Sequence, residues 1–325
     1  MITVGLPVYN ANKIAWLAVE SLCNQVTTRA WELVICEEKH INQCGAEYFK
    51  QYNERLKAVG CVRVVYIELA QWVNLPNKWK LIGENADKNS ECFILQGADD
   101  YSSADRIELS AQSIIDNDCD WYDEANGYFY DVFIKKLIRF NKNTIKSDAW
   151  KTGLNMALKT SYIKSLPSTG IIKGVDNYIF NHVLAHKPEP KLYCNQRNNI
   201  YSLDINGLNN LSTSRQMFFI NFSPPFEKTN MRLRDLAIVK EITDKVSLDY
   251  SANIKGKDVK VKMLVDKSEM YKGKEYMVNI DKAQHMRNVG QCDYVDNNIT
   301  GLNKIILLNT NNRKHGNKVK KAAME

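Results

Sequence analysis

Short apolar runs alternate with amphipathic stretches through the first hundred residues. Residues 2–8 (ITVGLPV) suit a buried strand, closed by Pro7 and by Asn10 as a turn former. Ile14, Leu17, Ala18, Ser21 and Leu22 then recur at helical spacing. LVIC at 33–36 reads as a second strand, stopped by the charged cluster EEKH. The helical stretch AEYFKQYNERLKAV leads to a third strand, CVRVVYI. PNKWKLIGENADK is helical, with Pro76 in its first turn, and CFIL is the fourth strand. Continuously apolar strands separated by helices predict an α/β fold, a mostly parallel sheet covered on both faces.

Beyond residue 120 the period changes. WYDEANGYFYDVFIKKLIRF is aromatic and partly alternating, as antiparallel strands are. GVDNYIFNHVLAH is helix-like and PKLYCN resembles a return strand. SLDINGLNNLSTSR, with Asp204, Asn209, Asn210 and Ser212, is polar enough to read as a loop. Residues 231–246 carry Leu233, Leu236, Ala237 and Val239 at near-helical spacing, and the basic end RKHGNKVKKAAME is expected to be mobile.

Composition adds limits. The chain of 325 residues is 44% hydrophobic and 25% charged, with ample core for one large or two modest domains. No stretch reaches the roughly 18–20 apolar residues of a membrane span, and no signal peptide is expected. Eight cysteines lie scattered without a Cys-x-x-Cys pair, several inside apolar runs, which points to reduced thiols in a cytoplasmic protein. The net charge of +7 is uneven: residues 226–325 hold 20 Lys+Arg against 13 Asp+Glu, so residues 1–225 hold 24 of each and balance. A basic appended region of this kind is either a solvated lysine-rich surface or a face for a polyanion.

In an open α/β sheet, ligands dock outside the carboxyl ends of the strands. Asn10, Glu37, Glu38, Asp99 and Asp100 are all expected at those ends. Two adjacent carboxylates at such a rim repel each other unless they share a cation. Their hard oxygens suit Mg²⁺ or Mn²⁺, ions that usually hold a diphosphate as well.

ITVGLPVYN, SLCNQ, WELVICEE and FILQGADDYSSADRI, in this order and spacing, resemble the successive motifs of the inverting family 2 glycosyltransferases of the GT-A (Rossmann-like) fold. The likeness is good to about residue 110, moderate to about 205 and absent beyond about 225. It implies a GT-A domain over 1–225, its nucleotide-sugar half at 1–110 and its acceptor half at 111–225. It implies that Pro7, Tyr9 and Asn10 border the nucleotide and that Glu38 stands where an aspartate binds the base, usually uracil. Lys78 and Lys80 lie near a basic position facing the diphosphate, or are simply solvated helix lysines. Asp99 matches the metal-binding aspartate and Asp100 the carboxylate after it, while Gly97 replaces the family's first acidic residue. Ser102 or Ser103 is expected to cap the following helix. Asp176 matches the catalytic base that opens a later helix, and Val175 replaces the glutamate beside it. His182 and His186, four apart, have metal-ligand spacing but no HExxH context.

The resemblance therefore implies transfer of a sugar from a nucleotide-diphosphate sugar, a UDP-sugar by preference, with Mn²⁺ or Mg²⁺ as cofactor. The charge of 226–325 favours double-stranded DNA as partner and a hydroxymethylated pyrimidine as acceptor, as in virus-encoded enzymes that glycosylate such genomes. The alternatives are a cell-surface polysaccharide or lipid acceptor, and a non-catalytic nucleic-acid-binding protein on a decayed transferase fold, the latter favoured by Gly97 and Val175.

Overall fold

The computed structural model describes residues 1–12, 14–124, 156–171 and 174–195, together with the backbone of further strands between residues 126 and 310. The chain opens with β1 (Ile2–Val8), α1 (Ala15–Leu22), β2 (Trp31–Glu38), α2 (Ala46–Lys50) and α3 (Asn53–Ala58). Next come β3 (Cys61–Leu69), α4 (Leu75–Glu84), β4 (Cys92–Leu95), β5 (Asp100–Ser102) and α5 (Arg106–Ala111), which runs on into one π turn. Then β6 (Trp121–Glu124), β7 (Asn126–Asp131), β8 (Lys136–Asn141), β9 (Ala157–Lys159), α6 (Thr160–Lys164) and α7 (Val175–His186) follow. The remaining strands are β10 (Leu192–Asn195), β11 (Ser202–Asn206), β12 (Phe226–Lys228), β13 (Asp258–Met263), β14 (Glu275–Asn279), β15 (Cys292–Tyr294) and β16 (Lys304–Thr310).

Eight strands make the main sheet, in the order β10-β6-β9-β4-β1-β2-β3-β16. Pairings β2–β1, β2–β3, β1–β4 and β6–β10 are parallel; β9 and β16 run the other way. The predicted mostly parallel α/β sheet is therefore what the chain forms. Its strands are apolar because each face is covered. Val4, Leu6, Leu33, Ile35 and Ile94 pack beneath α1, the α2–α3 pair and α5. On the other face Val34, Cys36, Val65, Phe93 and Trp121 meet residues of α4, α6 and α7. Gly5 admits this second layer: a methyl group there would stand 2.9 Å from the Trp79 ring.

Two smaller sheets lie outside it. One has the order β12-β8-β7-β11-β5, with β7–β8 antiparallel as the alternating aromatic pattern predicts; the other is β14-β13-β15. Residues 202–206, expected in a loop, form β11 instead, between β7 and β5. Backbone hydrogen bonds on both sides hold this strand, so its polar side chains gave no sign of it. Residues 304–310, within the stretch read as an appended region, return as β16 to the edge of the main sheet, and the Asn53 side-chain amide donates to the Leu308 carbonyl at 2.6 Å. The helix expected at 231–246 and the basic end 313–325 lie outside the described residues. No helix among the described residues is long and apolar enough to cross a membrane.

Candidate functional site

The chain leaves β1 in one direction to build β2 and β3 and in the other to build β4, so the topological switch point of the sheet lies at the carboxyl ends of β1 and β4, where open α/β sheets bind ligands. Asn10, Glu37, Glu38, Asp99 and Asp100 all stand along this rim. Asn10 adopts a left-handed backbone (φ 50°), a conformation asparagine tolerates, and its Oδ1 accepts from the Asn42 amide at 2.7 Å. Pro7 lies at the end of β1, level with Cys36. The Tyr9 ring sits 5.4 Å from His40 and 5.5 Å from the Lys78 ammonium.

The two glutamates that end β2 have separate tasks. Glu37 faces the loop at 39–45: its carboxylate accepts from the backbone N–H of Cys44 (2.8 Å) and Gly45 (2.9 Å) and from the Tyr66 hydroxyl (2.8 Å). Glu38 turns the other way and forms a buried ion pair with Lys78, which also donates to the Val8 carbonyl at 2.8 Å. Lys78 is thus tied to the ends of β1 and β2. Lys80 points elsewhere, to the Ser168 hydroxyl at 3.0 Å and to Glu84 at 3.7 Å. Asn74, the N-cap of α4, accepts from the Asn77 N–H and donates to the carbonyls of Thr169 and Ile171, drawing the approach to α7 to the same rim.

The loop carrying the acidic doublet is braced from beneath. Gln96 donates to the carbonyls of Gly97 (2.9 Å) and Asp100 (2.8 Å), and its own Oε1 accepts from the buried Arg106 guanidinium at 2.8 Å. Arg106 also reaches the Leu95 carbonyl at 2.5 Å. The SLCNQ stretch supplies the second brace. Ser21 Oγ accepts the Ser102 N–H at 3.1 Å, while Gln25 accepts the Ile107 N–H at 3.1 Å and donates to the Ser103 carbonyl at 2.7 Å. Gln25 therefore does the capping that was expected of a serine. Ser102 belongs to β5 and gives its hydroxyl to Gln96, and Ser103 gives its own to Asp105.

Asp99 is partly buried, and burial pushes its carboxyl up to about 6, with a bond to its own backbone acting against that. Asp100 is nearly covered, and its backbone lies opposite that of Asp204 in β11. A methyl group on Gly97 would stand 2.8 Å from Asp100 Cγ and 3.4 Å from Asp99 Oδ1. Among the described residues no group of three or more His, Cys, Asp or Glu side chains converges as a metal cage. The donor set of two adjacent carboxylates instead fits Mg²⁺ or Mn²⁺ arriving with a diphosphate, whose oxygens and water complete the shell. Asp99 and Asp100 would hold such an ion.

Helix α7 runs across the sheet from this rim to the far end. Its start follows the segment held by Asn74, its Phe180 stacks edge-on at 5.0 Å against Trp121, and Lys187, just past its end, meets Asp120 at 2.6 Å. Gly174, at φ 69°, makes the left-handed step into the helix, and Asp176 stands in its first turn. His182 and His186 lie nearer the far end, rings 4.2 Å apart, with His182 Nε2 against the Ser165 hydroxyl.

Sequence reasoning missed Asp123 and Glu124. Both are buried at the end of β6, level with the end of β4 across β9. Asp123 shares the Trp121 face, which α7 covers, and Glu124 takes the Tyr122 hydroxyl on the opposite face. The signal was there: two carboxylates closing the run WY, as in the doublet after FIL.

No protein-family profile matches the chain, and no curated protein matches it in sequence. Solved structures give distant likenesses. Staphylococcus aureus TarS 1–349 in complex with UDP-GlcNAc shares 12% identity over 89% of this chain and 79% of that one, with a TM-score of 0.48. TarS 1–349 alone gives 11% identity over 63% of this chain and only 60% of its own, at 0.45. The mannosyltransferase PcManGT from Pyrobaculum calidifontis, in complex with GDP-Man and Mn²⁺, shares 9% over 78% and 75%, at 0.47. No residue's role follows from similarity this low.

Proposed function

We propose that the chain is a glycosyltransferase that moves a sugar from a nucleotide-diphosphate sugar, a UDP-sugar by preference, to an acceptor hydroxyl with inversion. What supports this reading is that Asn10, Glu38, Asp99 and Asp100 follow or close the carboxyl ends of β1, β2 and β4, at the topological switch point of the sheet, and that Asp176 stands in the first turn of α7. Tyr9 and Asn10 border the nucleotide, and the buried Glu38–Lys78 pair supports the rim beneath it. Asp99 and Asp100 face the diphosphate. A divalent cation held there, when bound, offsets the charge that develops on the leaving group.

Asp176 takes the proton of the acceptor hydroxyl as that oxygen attacks the anomeric carbon from the side opposite the diphosphate. The new C–O bond forms while the anomeric C–O bond to phosphate breaks, and the nucleoside diphosphate departs with the electron pair. The test is a panel of nucleotide sugars scored by thermal unfolding with and without Mn²⁺. One donor is expected to stabilise the fold only with the ion, by about 2.7 kcal/mol at 100 times its dissociation constant. Stabilisation by none of them removes the reading.

For the acceptor we infer a hydroxymethylated pyrimidine in double-stranded DNA. The confinement of the whole charge excess to residues 226–325 supports this. Binding to duplex DNA should weaken steeply as salt rises and be indifferent to sequence. Absence of such binding at low salt redirects the search to glycan and lipid hydroxyls.

A further inference from the structure

Gly97 is not in a left-handed conformation, unlike Gly45, Gly60 and Gly174, so its backbone does not require glycine. Space does. The Asp100 carboxylate is folded back into the volume that a side chain at 97 would fill, with Cγ 2.8 Å from the place of its Cβ. Everything around this seat is fixed. The Asp100 N–H donates to the Gly97 carbonyl at 3.3 Å, Gln96 grips the carbonyls of both residues, and the buried Arg106 holds Gln96. Asp99 Oδ1 borders the same hollow at 3.4 Å.

We propose that Gly97 is a positioning residue whose missing side chain is the seat of the Asp100 carboxylate. Turned back beside Asp99, that carboxylate completes a two-carboxylate grip for the divalent cation of the donor diphosphate. The acidic group absent from position 97 is thus supplied from position 100, by a change of direction rather than of place in the sequence. This rests on the transferase reading above.

The test reads Mn²⁺ affinity directly, by electron paramagnetic resonance of free Mn²⁺ during titration, with and without UDP or GDP. Gly97→Ala fills the seat and should weaken Mn²⁺ binding at least tenfold, matching Asp100→Asn. Gly97→Asp combined with Asp100→Gly, which returns the carboxylate to 97, should recover affinity to within about threefold of the parent. Parent-like affinity in Gly97→Ala overturns the proposal. Should that variant fail to fold, parent-like affinity in Asp100→Asn overturns it equally. If the parent binds no Mn²⁺ under any of these conditions, the cation assigned in the transferase reading falls too. Loss in Gly97→Ala and Asp100→Asn, with affinity kept by the paired variant, supports the proposal.

Discussion

Lys78 and Glu38, separately expected to touch the nucleotide, are bonded to each other beneath the rim, with Lys78 also holding the Val8 carbonyl at 2.8 Å. Both side chains are buried, 4% and 0% exposed, so neither charge has water to fall back on. Lys78→Met strands the Glu38 carboxylate and should cost about 3–5 kcal/mol in urea unfolding. Adding Glu38→Gln should restore most of that loss, a coupling readable from a double-mutant cycle. Additive losses would show that the two do not act as a pair.

Asp99→Ala should remove the Mn²⁺-dependent part of the thermal stabilisation by a nucleotide sugar and lower donor turnover by about 10²-fold or more. An unchanged response to Mn²⁺ would move the ion elsewhere.

Asp176→Asn keeps the shape of the α7 start but cannot accept the acceptor's proton. Donor-induced stabilisation should match the parent, while transfer falls by roughly 10²–10⁴-fold. Normal transfer would reassign the base, with Asp123, on the same sheet face that α7 covers, as the next residue to replace.

At the opposite end of the sheet Asp120 is a stability device. Burial opposes its ionisation, but bonds from Lys187, the Lys191 N–H and Tyr162 outweigh that and hold the carboxyl at about 2, below its ordinary 3.8. The unfolded chain takes up this proton more readily, so the stabilisation is full above about pH 4 and is lost as pH falls toward 2. Asp120→Asn should cost about 2 kcal/mol at pH 7 and flatten the acid limb of the stability profile, as measured by urea unfolding across pH 2–7. A parallel profile would assign the shift to another group.

The sequence made some levels of this molecule easy to read and hid others. Buried strands such as 2–8 and 61–67 announce themselves because both faces are covered, and the rim residues follow from where those strands stop. Partnerships were illegible, since they depend on direction. Glu37 and Glu38 are neighbours in the chain but point to opposite faces, one to the loop at 39–45 and one to Lys78. The Gln25 cap on α5 joins residues 82 apart, and β11 is a strand because of its neighbours rather than its own side chains. The Gly97 hollow has no counterpart in any local pattern.

The last strand has a consequence for the order in which the molecule is made. Asn53 and Leu308 touch across 255 positions of chain, and β16 closes the flank of β3 by antiparallel pairing. Until those late residues leave the ribosome, β3 presents a row of open amide and carbonyl groups to any passing strand. The sheet built from the first hundred residues therefore stands with one margin unzipped until residues 304–310 have been made.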